Sequence, residues 1–235
     1  MCFSTEADLV AGIALLPVAA LSLREVRCAR EVPFAALPLL FAAHQLTEAL
    51  VWAGLDGDVS ASVQKAAAMV YVLFAFSVLP TLVPAAVLLL EPRGARLRVA
   101  PFVALGVVVS AQLTYFVLNG PLVVEEHAHA VEYQVGLQNG TFWAVLYIVA
   151  VVGPSLLSGY PSIVAFGALN LVGLTLVAIL YREAFASVWC VVAALLSVLV
   201  LLHMYRRRRL PDPHRLRGEG DGFNGGEVLP WRASR

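Results

Sequence analysis

The sequence predicts an all-α integral membrane protein, a bundle of seven transmembrane helices with the N-terminus outside and the C-terminus cytoplasmic. Three observations carry this reading. Charged residues are only 14% of the chain and mean hydropathy is +0.81, too little polar surface for a water-soluble globule of 235 residues. The apolar residues gather into seven segments. Basic residues within and between them fall almost wholly on alternate connections, and the run Arg206–Arg209 closes the last apolar segment.

The segments are 6–25, 33–55, 64–90, 99–118, 141–158, 161–181 and 185–205. Each is close to the length that a ~30 Å hydrocarbon core requires at ~1.5 Å per residue. The first lies close to Met1 and has neither the basic region nor the small-residue cleavage site of a signal peptide, so it reads as a retained helix. Thr5 followed by Asp8 marks its start, where the helix dipole favours acids. The third carries Pro80 and Pro84, which predict a kink in its cytoplasmic half. The fifth is short, and a six-span reading would have to discard it. Only Ser158-Gly159-Tyr160-Pro161 and Arg182-Glu183 separate the last three segments.

Orientation follows from the arginines. With the N-terminus outside, the cytoplasmic connections hold Arg24, Arg27 and Arg30, then Arg93, Arg96 and Arg98, then Arg206–Arg209. The opposite side has only Lys65 and Arg182 as basic residues, with Glu6, Asp8, Asp56, Asp58, Glu125, Glu126, Glu132 and Glu183. Lys and Arg concentrate on cytoplasmic loops, and this alternation requires an odd number of spans. Residues 1–205 thus form the seven-helix domain, and 206–235 a basic, Gly/Pro-rich, disordered cytoplasmic tail whose arginines are placed to meet anionic lipid. The net charge of zero gives no reason to expect nucleic acid; the expected partner is the lipid bilayer.

Three cysteines do not make a disulfide framework. Cys28 falls on a cytoplasmic connection, where thiols stay reduced. Cys2 and Cys190 fall near the outer surface and pair only if the first and seventh helices are neighbours; otherwise all three are free.

The second segment holds the candidate catalytic residues, His44 and Glu48. A carboxylate inside a span costs ~2.5–3.5 kcal/mol even on lenient scales, so it seldom faces lipid. Four residues apart, the two share a helix face, with Glu48 ~6 Å nearer the outside. They are two metal ligands, a proton relay, or a hydrogen-bonded couple that ties helices together. Trp52, a turn further out, reads as an interfacial anchor. Gln112, Thr114, Tyr115, Trp143, Tyr147, Asn170 and Tyr71 fall in the same outer half and hint at a cavity opening outward. His203 sits at the inner interface, and His214 in the tail carries no assignment.

The connection 119–140 is long enough to carry structure of its own. Its centre contains His127 and His129. On one extended strand both imidazoles point the same way and are candidate ligands of one metal; on a helix they diverge. The odd positions from His127 to Leu137 differ consistently from the even ones, which favours the extended form. Removal of Met1 would leave Cys2 with an amine and a thiol in chelating reach, a third candidate ligand for zinc or copper.

The opening Met1-Cys2-Phe3-Ser4, Leu23 to Arg27, Pro33-Phe34-Ala35-Ala36, Pro38-Leu39-Leu40-Phe41, Gln45 and Glu48 resemble a family of functionally uncharacterised bacterial multi-pass membrane proteins that begin Met-Cys-Phe-Ser. The resemblance covers the membrane region, most specifically its first 55 or so residues, and implies a bacterial plasma-membrane location. It also implies that Cys2, Phe3, Ser4, Gln45 and Glu48 belong to the family pattern; it brings no activity. The helix count also resembles that of membrane hydrolases related to alkaline ceramidase, which bind zinc through helix-borne histidines. Their Ser-x-x-x-His is not matched, because Leu40 stands four residues before His44, and the last helix has only His203. A retinal photoreceptor is excluded, since the sole lysine, Lys65, begins the third segment.

The leading expectation is an outward-facing site built from Cys2, His44, Glu48, His127 and His129. It would hold zinc or copper, with Glu48 as ligand or general base in hydrolysis or redox chemistry on a lipid or small molecule. The alternatives are a proton-coupled transporter that uses His44 and Glu48 as a relay, and an accessory subunit without chemistry.

Overall fold

The computed structural model describes residues 4–91, 95–127, 130–180 and 185–209. Cys2 and His129 lie outside them, as do Arg93, Arg182, Glu183 and 210–235. Among the described residues the helices form seven apolar rods joined by short connections and one β-hairpin. The first rod is α1, Thr5–Arg24. The second joins a 3-10 turn, Ala29–Glu31, to α2, Val32–Ala35, and α3, Leu37–Leu55. The third joins α4, Ala61–Leu73, through a π-helical turn, Phe74–Val78, to α5, Leu79–Leu90. The others are α6, Arg96–Asn119; α7, Gly140–Leu156; α8, Pro161–Leu180; and α9, Phe185–Arg209.

Among the described residues, four rods are long and apolar enough to cross a membrane: Thr5–Arg24, Ala29–Leu55, Ala61–Leu90 and Arg96–Asn119. The fifth, α7, has 17 residues, about 25 Å of helix.

Two local expectations shift. Asp8 does not pair with Thr5 in a cap. Ser4 caps α1, its hydroxyl accepting from the Ala7 amide at 3.2 Å, while the Thr5 hydroxyl donates to Asp56 Oδ2 at 3.1 Å and ties the start of α1 to the end of α3. The proline signal in the third rod appears as the π turn just before Pro80. There the Leu79 amide reaches back five residues to the Phe74 carbonyl. In that register the next donor would be Pro80, which has no N–H, so the Ala75 carbonyl is left for the Tyr147 hydroxyl of α7 at 2.8 Å.

Pro84 likewise frees the Pro80 carbonyl, which lies against Gly106 of α6 so closely that an added Cβ would collide with it. Thr81 and Ser110 hydroxyls bond at 2.8 Å beside this contact.

The all-α expectation needs one correction. Residues 122–135 form an antiparallel hairpin, β1 (Leu122–His127) paired with β2 (Ala130–Val135). Leu122, Val124, Val131, Tyr133 and Val135 line one face and pack with Val51, Trp52, Tyr71 and Val117. The other face carries Glu125, His127 and Glu132, half-buried or exposed. The hairpin is a small apolar-backed cover over one end of α3, α4 and α6.

Candidate functional site

Buried ionisable groups collect at two levels. The first lies under the hairpin, where α3 packs against both α1 and α4. Asp8 and Glu48 are 0% exposed, Gln45 1% and His44 3%. Gln45 Nε2 donates to Asp8 Oδ1 at 3.2 Å, which brings an α1 carboxylate to the polar side of α3. The close approach of these helices depends on Gly12, where a Cβ would strike the Leu46 side chain.

On the α4 side, the His44 ring stacks on Tyr71 at 3.9 Å between centroids, and Tyr71 stacks on Tyr133 of β2 at 4.5 Å. His44 Nε2 is buried without a hydrogen-bond partner among the described residues. Phe74 closes another side of the imidazole at 4.8 Å. Glu48 stands one turn toward the hairpin on the same helix face.

Trp52 is buried in the cluster under the hairpin, so it faces inward instead of anchoring an interface. Tyr71 and Tyr147 are buried as well, but Tyr115 is exposed, and Thr114 returns its hydroxyl to the Ser110 carbonyl at 2.6 Å. The shared depth read from the sequence therefore resolves into a narrower group: Asp8, His44, Gln45, Glu48 and Tyr71.

His127 is not brought to His44 and Glu48. It lies on the face of the hairpin turned away from the bundle, and its Nε2 is 2.8 Å from Glu132 Oε2. Glu125, His127 and Glu132 offer ligand atoms within 4.8 Å of one another, the one such group among the described residues. The two faces of the hairpin separate this group from the α3 site.

The second level is at the opposite end of the bundle, and only His203 and the arginines signalled it. Arg207 Nε donates to Glu31 Oε1 at 2.9 Å, and both side chains are nearly inaccessible, at 6% and 3%. Glu31 Oε2 accepts from the Arg27 amide at 2.7 Å. The Arg207 guanidinium also sits 4.9 Å over the Tyr160 ring.

Glu91, fully buried, pairs with Arg98 at 3.1 Å and accepts from the Ser158 hydroxyl at 2.6 Å and the Gly159 amide at 2.9 Å. His203 Nδ1 bonds the Ser162 hydroxyl at 2.7 Å, its ring set edge-on to Phe34 and Tyr160. Each carboxylate here has an arginine and a backbone amide. That is the chemistry of a clamp: Glu31 and Arg207 join the second rod to the seventh, and Glu91 joins the end of the third to the fourth and to the connection after α7. The sequence held one further, unread signal for it: an acid one or two residues before a proline at a span boundary, Glu31-Val32-Pro33 and Glu91-Pro92.

A model for a family of unknown function, DUF6629, matches residues 1–216. The chain belongs to that family. The match takes in both polar levels and the hairpin, so these features fall within the DUF6629 region. No curated protein and no solved structure matches the chain.

Proposed function

We propose that this DUF6629 protein is a seven-span protein of the bacterial plasma membrane, N-terminus outside, that takes up a proton or small cation at Asp8, His44 and Glu48. One observation carries the reading: two carboxylates and an imidazole share the α1–α3–α4 junction at 0–3% exposure, inside rods whose outer surfaces are apolar. Val10 and Ile13 of α1, Val107 and Val108 of α6, and Val172 and Ile179 of α8 are exposed on those surfaces, which fits contact with lipid chains. Ionisable side chains at such depth ordinarily mark a path for ions or protons. Gln45 positions Asp8, and the stacked Tyr71 fixes the imidazole plane. The separation of His127 from His44 and Glu48 weighs for the proton-coupled reading over a single catalytic metal centre spanning both.

The test is carbodiimide labelling of the purified protein across pH 5–9, read by peptide mass spectrometry. Dicyclohexylcarbodiimide enters apolar surroundings and modifies carboxyls that carry a proton. Labelling at Glu48 or Asp8 that fades as pH rises, and proton uptake into proteoliposomes that Glu48→Gln abolishes, are the expected results. Inert carboxyls at every pH, with proteoliposomes no leakier to protons than empty ones, would defeat the proposal.

A further inference from the structure

The geometry points to a divalent-metal site on the outward face of the hairpin, with Glu125, His127 and Glu132 as its ligands and zinc as the cation class. This site is independent of the proton-binding reading and does not rest on it. The register places Glu125 directly opposite Glu132. Like charges facing each other across a strand pair are unfavourable, and a cation between them reverses the sign of that interaction. His127, two residues along β1, projects from the same face and already approaches Glu132 Oε2 at 2.8 Å.

The other Glu132 oxygen is held from behind, accepting from Gln134 Nε2 at 3.2 Å. Such an outer contact orients a ligating carboxylate. The strand pair itself is fixed, because its opposite face is packed through Val131 and Tyr133.

One imidazole nitrogen and two carboxylate oxygens are a donor set for zinc, with one position left to water. Zinc bonds of ~2.0–2.1 Å put tetrahedral ligand atoms about 3.3 Å apart. Glu132 and His127 therefore separate by roughly half an ångström from their present 2.8 Å contact, and Glu125 swings in. Surface side chains that are half-buried or exposed, as these are, make that adjustment through rotamer changes.

The experiment is a titration of full-length protein in detergent with zinc chloride by calorimetry, and with cobalt(II) by visible absorption. A Cys2→Ser background removes the thiol as a competing ligand. One zinc per chain is expected, and a cobalt spectrum of low coordination number. His127→Ala and Glu132→Gln should each weaken binding by roughly ten-fold or more, the scale on which a lost contact is felt at such sites. Glu125→Gln should weaken it in the same direction and His129→Ala should leave it unchanged. Size-exclusion profiles identical to the parent keep each comparison valid. Absence of saturable binding in the parent would overturn the site, as would affinities that ignore Glu125 and Glu132 but fall with His129→Ala.

Discussion

At the scale of single residues, the buried Glu31–Arg207 pair (2.9 Å) gives the sharpest expectation. Two charges withdrawn from water are stabilising only while each has its partner, and removing one leaves the other uncompensated at a cost of about 3–5 kcal/mol. Glu31→Ala should therefore lower the thermal unfolding temperature sharply, although Glu31 is far from the His44 level. Glu31→Gln with Arg207→Met, which removes both charges and preserves volume, should recover much of the loss. A double variant as unstable as the sum of the single ones would mean that the two residues do not interact. The sequence could not show this pair. It showed Arg207 as one of four arginines that set topology, and the partner is 176 residues away. His44 and Glu48 were legible for the opposite reason: an ionisable group in an apolar run stands out without any knowledge of its neighbours. Asp8 was read as a helix-start acid, because its link to Gln45 exists only once α1 crosses α3.

Elements were the most legible level where they are long and apolar. Segment 6–25 became Thr5–Arg24, and 99–118 became the core of Arg96–Asn119, because hydrophobic runs translate directly into helices. The hairpin was harder, for a reason internal to antiparallel pairing. Its partners, such as Leu122 with Val135 and Val124 with Tyr133, have opposite parity. The inward face is therefore even-numbered on β1 and odd-numbered on β2. A single odd-numbered pattern from His127 to Leu137 could describe one extended strand, but not the reversal that puts His127 and Val131 on opposite faces.

Packing at the π turn yields the element-scale predictions. Tyr147→Phe removes the donor to the Ala75 carbonyl and leaves a buried acceptor unsatisfied, at roughly 1–3 kcal/mol. Gly106→Ala drives a methyl into the Pro80 carbonyl, a backbone atom that yields only if α5 and α6 part, at about 1–3 kcal/mol. Chemical or thermal denaturation in one detergent, read by far-ultraviolet circular dichroism, measures both. Ala substitution of Gly140, whose Cβ would meet only a Leu137 side-chain carbon at 3.7 Å, provides the contrast and should change little.

For the whole molecule, topology hinges on α7. In the proposed seven-span arrangement its 17 residues cross, giving an odd number of passes with the two termini on opposite sides; were α7 to lie at the surface instead, six of the proposed passes would remain and the termini would share a side. The contacts argue for crossing. The Tyr147 hydroxyl of α7 reaches Ala75 in the middle of the third rod. Ser158, just beyond the C-terminal end of α7, reaches Glu91 at the end of that rod, while Gly140 at its start follows directly from the hairpin. The helix thus runs from the acidic end of the bundle to the arginine-rich end. For a crossing helix of about 25 Å, local thinning of the bilayer would cost fractions of a kcal/mol per ångström. Alkaline phosphatase inserted after Gly57 or at 128–129 should therefore be active in intact bacterial cells, because that enzyme needs the oxidising exterior. Green fluorescent protein after Arg209 should fluoresce. Both reporters behaving as though on one side would remove α7 from the membrane and, with it, the N-out, C-in arrangement on which the outward position of the hairpin depends.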